Sequence, residues 1–343
     1  MKKIILTLLG AAALLGCNRE DLPPKPELAD AIAFNNVATR AVDSASAIEE
    51  FEVWTTITNS VNSYLPLMSG ERVYRNPAGS DNWTYVNTEY WLDQTQFYFF
   101  AAYPYNLGFQ EHRQQSSDNY YTAYSLPVVA DGSAATEDIL TAFAFTDTSV
   151  GGYATTVPIT FGHLLSKINF KISQNFAIDN DFDYYIKKVT VTGLKKNGTY
   201  LFMPYYNSED PCKSYAEYWD TRSAQPLTLV KEYTNPVRLR NPGAADPKVV
   251  VSVFGDDGVM VIPQDIASGD VTIRVDYLYD VDPSDSDMGS EKFVEATIPN
   301  FSLLSGKRIN FSMQIASQSL LTFSAPSIDP WGAPQTGGTI IIK

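Results

Sequence analysis

Apolar and polar positions alternate along most of this chain. In KINFKI, residues 167–172, Ile168, Phe170 and Ile172 fall on one face of an extended segment, and Lys167, Asn169 and Lys171 fall on the other. The same period of two recurs in Val271, Ile273, Val275, Tyr277 and Tyr279, and again in Ile309, Phe311, Met313 and Ile315. Successive side chains of a strand point to opposite faces, so each run predicts a strand with one face in a core. Residues 97–104, FYFFAAYP, are apolar on both faces, which predicts an interior strand rather than an edge. Residues 157–172, VPITFGHLLSKINFKI, carry two strands. Helical spacing is nearly absent, and only residues 46–51 and 212–219 are read as a helical turn each.

Turn signals divide these runs. Asn197-Gly198, between 188–192 and 200–203, offers the positive φ angles of a type I′ turn and predicts a hairpin. GDDG at 255–258, between 249–254 and 259–262, predicts another. Many short strands without a βαβ rhythm exclude a doubly wound fold, and no repeat of 20–50 residues points to a solenoid or propeller. The polar stretch QNFAIDNDFD, near 175–185, is taken as a domain border. The expected architecture is all-β, with one sandwich over residues 41–178 and a second over 179–343.

Composition agrees with this reading. The 343 residues are 44% hydrophobic and include 21 Tyr and 18 Phe, residue types that suit half-buried pleated surfaces. The formal charge of −14 argues against a nucleic-acid partner, whose phosphates require Lys and Arg.

The first residues predict export. In 1–17, MKKIILTLLGAAALLGC, Lys2 and Lys3 precede a short apolar stretch that ends in Leu14-Leu15-Gly16-Cys17. This resembles a bacterial lipobox, which implies cleavage before Cys17 and lipidation of its thiol. Cys212 is the only other cysteine, so lipidation of Cys17 leaves no intrachain disulfide. Residues 18–30, NREDLPPKPELAD, read as an extended spacer. Its Arg19-Glu20-Asp21 resembles the tag that sends some lipoproteins to the outer face of the outer membrane.

Catalytic chemistry is sparse. The two histidines, His112 and His163, belong to no HExxH, and no GxSxG, SxxK or P-loop occurs. His163, within FGHLL, reads as a core histidine. Asp280, Asp282, Ser284 and Glu291 occupy calcium-ligand positions of an EF-hand-like loop. Asp285 stands where the turn needs Gly, and Pro283 stiffens the loop, so a solvated acidic loop is the stronger reading. No metal and no cofactor are expected. Trp54, Trp83, Trp91 and Trp219 suit sugar stacking but suit two sandwich cores better.

An ordered series of segments carries a family resemblance. It runs from Ala33-Phe34 to Thr39-Arg40-Ala41, then through Tyr90-Trp91, FYFFAAYP and Glu137-Asp138-Ile139-Leu140 to VPITFGHLLSKI. It continues with Val261-Ile262-Pro263-Gln264, Leu304-Ser305-Gly306-Lys307 and Pro330-Trp331. In this order and spacing the chain resembles the fimbrillin family, the subunits of type V pili. The resemblance implies two transthyretin-like β-sandwich domains in tandem and a non-enzymatic surface lipoprotein. It also implies that an Arg-specific protease removes the leader, 18–40, by cutting Arg40–Ala41. The lost strand would be 31–39, AIAFNNVAT, and another subunit would fill its place by strand exchange.

The end of the chain, TGGTIIIK at 336–343, suits a donated strand. Gly337 and Gly338 supply a hinge, and Thr339, Ile340, Ile341 and Ile342 supply the filling. The whole donor candidate spans 320–343. Expected partners are other pilin subunits, the outer membrane through the lipid of the precursor, and host or microbial surface ligands. The processed protein would reside in the fimbria. The alternative is a monomeric, lipid-anchored module that binds glycans through Trp and Tyr.

Overall fold

The computed structural model describes residues 30–39, 48–58, 64–116, 119–133, 136–149, 156–176, 182–204, 215–240, 248–280, 289–317 and 320–331. Among them there are strands and no helix. The first ten strands are β1 (Ala33–Thr39), β2 (Glu50–Thr58), β3 (Tyr64–Arg75), β4 (Trp83–Thr84), β5 (Gln96–Tyr103), β6 (Gln110–Ser116), β7 (Asn119–Val129), β8 (Leu140–Asp147), β9 (Thr156–His163) and β10 (Ser166–Gln174). Then come β11 (Asp183–Lys195), β12 (Asn197–Pro204), β13 (Tyr215–Asp220), β14 (Pro226–Arg238), β15 (Val251–Ser252), β16 (Val259–Val261) and β17 (Gln264–Ile266). The last are β18 (Thr272–Asp280), β19 (Ser290–Thr297), β20 (Phe301–Leu303), β21 (Lys307–Ser317), β22 (Leu320–Phe323) and β23 (Ser327–Pro330).

A seven-stranded sheet of order β1-β9-β8-β5-β2-β3-β4 dominates the first half. Its two faces bury different cores. Phe97, Phe99 and Ala101 of β5 point into one core with Phe51 and Val53. Phe100 and Ala102 point into the other with Trp54. The doubly apolar FYFFAAYP is therefore an interior strand, paired with β2 on one side and β8 on the other. A sheet of order β13-β12-β7-β6 covers the second face through Tyr124, Leu126, Tyr200 and Phe202. On the first face the large sheet curls until its ends meet. Phe34 of β1 lies 5.7 Å from the ring of Tyr85, just past β4, and Tyr85 OH donates to Ile32 O at 2.7 Å.

The second half is another sandwich. One sheet has the order β15-β10-β21-β22, with β16 also on β10 and β23 also on β21; the facing sheet is β14-β11-β18-β19. Ile168, Phe170 and Ile172 meet Ile309, Phe311 and Met313 in parallel register. These residues form one core with Val189, Val191, Ile273 and Val275 of the facing sheet. Asp183 is fully buried there and pairs with Arg238 and, at 3.0 Å, with Arg240.

Several expectations are corrected by this topology. The border at 178/179 separates β10 from β11, yet both strands line the same core. In the other direction, β12 and β13 lie beyond that border but pair with β7 in the first half. The first sandwich thus borrows strands from the second half of the chain. Asn197-Gly198 makes no hairpin: both residues lie inside β12, opposite Val129 and Val128, and Gly198 does not take a positive φ. The position is crowded: a Cβ would lie 3.1 Å from Thr221 and 3.2 Å from the Asp220 carbonyl, so a larger residue needs its neighbours to give way. The segments around GDDG do not pair with each other either; β15 and β16 each pair with β10. Gly258, at φ +70°, brings the turn so close that a Cβ would meet Ile168 O at 2.4 Å. Residues 48–49 are irregular and run into β2, and 215–220 form β13, so neither expected helical turn occurs at the described positions. The first part of the 320–343 donor candidate is held in its own sheet, because β22 and β23 both pair with β21.

Candidate functional site

Strand β1 is laid along one end of the large sheet. It runs parallel to β9, with Ala33 opposite Thr156, Phe34 opposite Val157 and Thr39 opposite Phe161. The register shifts between Asn35 and Ala38, just past Pro158, which has no N–H for the ladder. Alternation drives Ile32 and Phe34 inward, where they are 1% and 4% exposed. Phe34 meets Phe51, Tyr85 and Phe99 edge-on at 6.2, 5.7 and 6.1 Å. Residues before the strand are pinned separately: Ile32 N–H donates to Glu89 O at 2.9 Å, and Trp91 N–H donates to Asp30 O at 3.1 Å. Over 33–39 the strand has β9 as its ladder partner, at the terminus of the sheet order.

Parallel pairing has a geometric consequence. The C-terminal ends of β1 and β9 lie side by side, with Thr39 opposite Phe161 and His163 two residues further on. The His163 ring stacks on Trp331, with centroids 3.8 Å apart and planes within 3°. Lys167 Nζ lies 4.5 Å from the same indole centroid, and Trp331 N–H donates to Gly306 O at 3.0 Å. Trp331 is the last described residue. The end of β1 and the root of the chain's last segment are thus at the same end of β9. Register carries this juxtaposition, so sequence spacing alone could not reveal it.

His163 is a core histidine at 8% exposure, with Nδ1 2.9 Å from Asp138 Oδ1. Its Nε2 is buried with no hydrogen-bond partner among the described residues. His112 Nε2 lies 2.6 Å from Ser125 Oγ, in a different sheet. Among the described residues no group of three or more His, Cys, Asp or Glu side chains could hold a metal. Glu291 of the EF-hand-like spacing is paired with Lys187 at 2.8 Å. Trp54 and Trp91 are buried in cores, Trp83 packs on Phe51 at 5.1 Å, and Trp219 lines a cleft beside β13. Cys17, Arg40, Ala41, Cys212 and Thr339, Ile340, Ile341 and Ile342 lie outside the described residues.

Layered sheets of mostly antiparallel strands, with the buried strand β1 at the end of the largest sheet, make up the described residues. The chain belongs to the fimbrillin-like family, whose model matches residues 39–331. Its fold is similar to that of a fimbrial protein from Bacteroides vulgatus, with a TM-score of 0.58 and 14% identity over 88% of this chain and 99% of that one. A candidate cell adhesion protein from Bacteroides ovatus aligns at 17% identity over 89% of this chain and 98% of that one, with a TM-score of 0.42. One from Parabacteroides distasonis aligns at 12% identity, covering 89% and 97%, with a TM-score of 0.43. No curated protein matches the chain.

Proposed function

We propose that the protein is a structural subunit of a cell-surface pilus, made as a lipoprotein anchored through Cys17 and assembled by strand exchange after cleavage at Arg40–Ala41. The observation that carries this reading is β1. It ends one residue before Arg40, fills a core with Ile32 and Phe34, and lies at the end of its sheet. Loss of this strand would uncover the edge of β9 and two side-chain sockets worth about 3–6 kcal/mol of gross burial. A donated strand restores both the ladder and the filling by β-augmentation. The donor is the segment after Trp331, with Thr339, Ile340, Ile341 and Ile342 entering the slot of a neighbouring subunit. Residues 320–330 stay with their own sheet, as their pairing with β21 supports. The precursor sits on the outer face of the outer membrane, and the processed chain enters the fimbria.

The test uses protein from Asn18 to Lys343 and a twin lacking 336–343. Both are treated with an Arg-specific protease, the new N-terminus is sequenced, and size is followed by light scattering. A cut after Arg40, followed by ladders from the full chain only, is the expected result. Resistance of Arg40, or cleavage that leaves the full chain monomeric, would reject assembly by this route.

A further inference from the structure

A cleft of about 480 Å³ opens between β13 and the β17–β20 ribbon, within the roughly 300–1,000 Å³ of ordinary ligand sites. One wall comes from the first sandwich. Tyr200 and Trp219 are directly opposed on β12 and β13, with ring centroids 5.6 Å apart. Glu217, two residues before Trp219, shares their face, and Tyr200 OH donates to its Oε2 at 2.9 Å. The other wall brings Asp265, Leu303 and Ser305. Asp265 Oδ1 accepts from Ser302 Oγ at 2.6 Å. Lys195 closes one end and donates through Nζ to Thr221 Oγ1 at 2.9 Å. Gln264 ties the rear together: its Oε1 accepts from Lys195 N–H and its Nε2 donates to Ile262 O.

The groups left over define the ligand. Glu217 and Asp265 each keep one carboxylate oxygen without a partner among the described residues, and the Lys195 ammonium keeps N–H groups to donate. The lining also includes the aromatic Trp219 and the aliphatic Leu304, which is half-exposed. The indole N–H of Trp219 is buried without an acceptor among the described residues. An apolar ligand would leave both carboxylates desolvated and unpaired. An anion would meet two carboxylates against one ammonium, on a chain of formal charge −14. A compact ring with hydroxyls at its rim and C–H groups on its faces matches the two carboxylates, the ammonium and the apolar lining together.

We propose that this cleft binds a neutral saccharide, with Asp265 and Glu217 accepting from its hydroxyls, Lys195 donating, and Trp219 and Leu304 covering its C–H face. None of these residues belongs to β1, β9 or the segment after Trp331, so the site does not rest on strand exchange. The uncut chain from Asn18 to Lys343 is titrated with a panel of neutral methyl glycosides and oligosaccharides, and with a sialylated trisaccharide. Saturation-transfer NMR and tryptophan fluorescence read binding. Variants Asp265→Asn and Ser305→Trp, which removes an acceptor and fills the cleft respectively, are compared at matched melting temperature. At least one neutral saccharide is expected to saturate, to weaken about tenfold in D265N and to lose binding in S305W. Absence of saturation across the panel, preference for the sialylated sugar, or binding unchanged in S305W would overturn the proposal. Glu217→Gln, which keeps an acceptor for Tyr200, is a third variant should either of the others fail to fold.

Discussion

Glu52 is a side chain whose chemistry its environment changes. It lies on β2, 4% exposed, and accepts the backbone N–H groups of Asn106 at 3.1 Å and Leu107 at 3.3 Å. Burial pushes its carboxyl up to about 7, against the pull of those two donors. The unfolded chain releases this proton near 4.5, so between 4.5 and 7 the folded state holds more protons than the unfolded state. Stability from this group is therefore full below 4.5, falls as pH rises, and is lost above 7. The shift corresponds to about 3 kcal/mol. Denaturant titrations at pH 5 and pH 8 should show that loss in the wild type. Glu52→Gln keeps one of the two acceptor oxygens, at a cost that does not vary with pH, and cannot ionise, so its curve should be flatter. An equal slope in E52Q would assign the pH dependence to other groups. Asp183, also buried, pairs with Arg238 and Arg240 beside the second core.

At the level of elements, β1 is the strand on which the proposed assembly rests. Its alternation is short, its ladder partner is β9, and its hold on the fold comes largely from Ile32 and Phe34. Phe34→Ala should lower stability by about 3–5 kcal/mol, measured by urea unfolding, because three aromatic neighbours lose their contact. In a chain already cut after Arg40, the same change should speed departure of the leader peptide, followed by gel filtration. A Phe34→Ala loss below 1 kcal/mol would mean that the strand is held by its backbone alone. Strands of this kind were readable where one face is apolar. Ile168, Phe170 and Ile172 do share a core face, as do Ile309, Phe311 and Met313. Asn197-Gly198 misled because the same dipeptide serves a turn or a crowded crossing, and only the proximity of Asp220 and Thr221 distinguishes them.

Across the whole molecule, the two sandwiches are interleaved rather than strung in a row. β9 belongs to the large sheet, and β10, after only Leu164 and Leu165, belongs to the second half. Those two leucines share a core with Ile262 and Trp331, so the last described residue packs against the junction. Trp331→Ala removes the stack on His163 and the Lys167 contact and should cost about 3–5 kcal/mol in unfolding experiments, with Trp331→Phe recovering part. A neutral W331A would show that the junction holds without it.

The sequence by itself determined the all-β class, which residues face a core, the interior place of FYFFAAYP and the family resemblance. All of these are local: a period of two, a doubly apolar run and an ordered set of short motifs need no knowledge of a partner. Tertiary structure decided which strands pair. It sent β12 to β7 instead of to β11, placed β15 and β16 on successive stretches of β10, kept 320–330 at home, and brought Trp331 to His163. Pairing depends on matching surfaces separated by many residues, and a strand's own alternation is the same whichever neighbour it takes. The Trp219 cleft is built the same way, from segments that meet only when the sheets close.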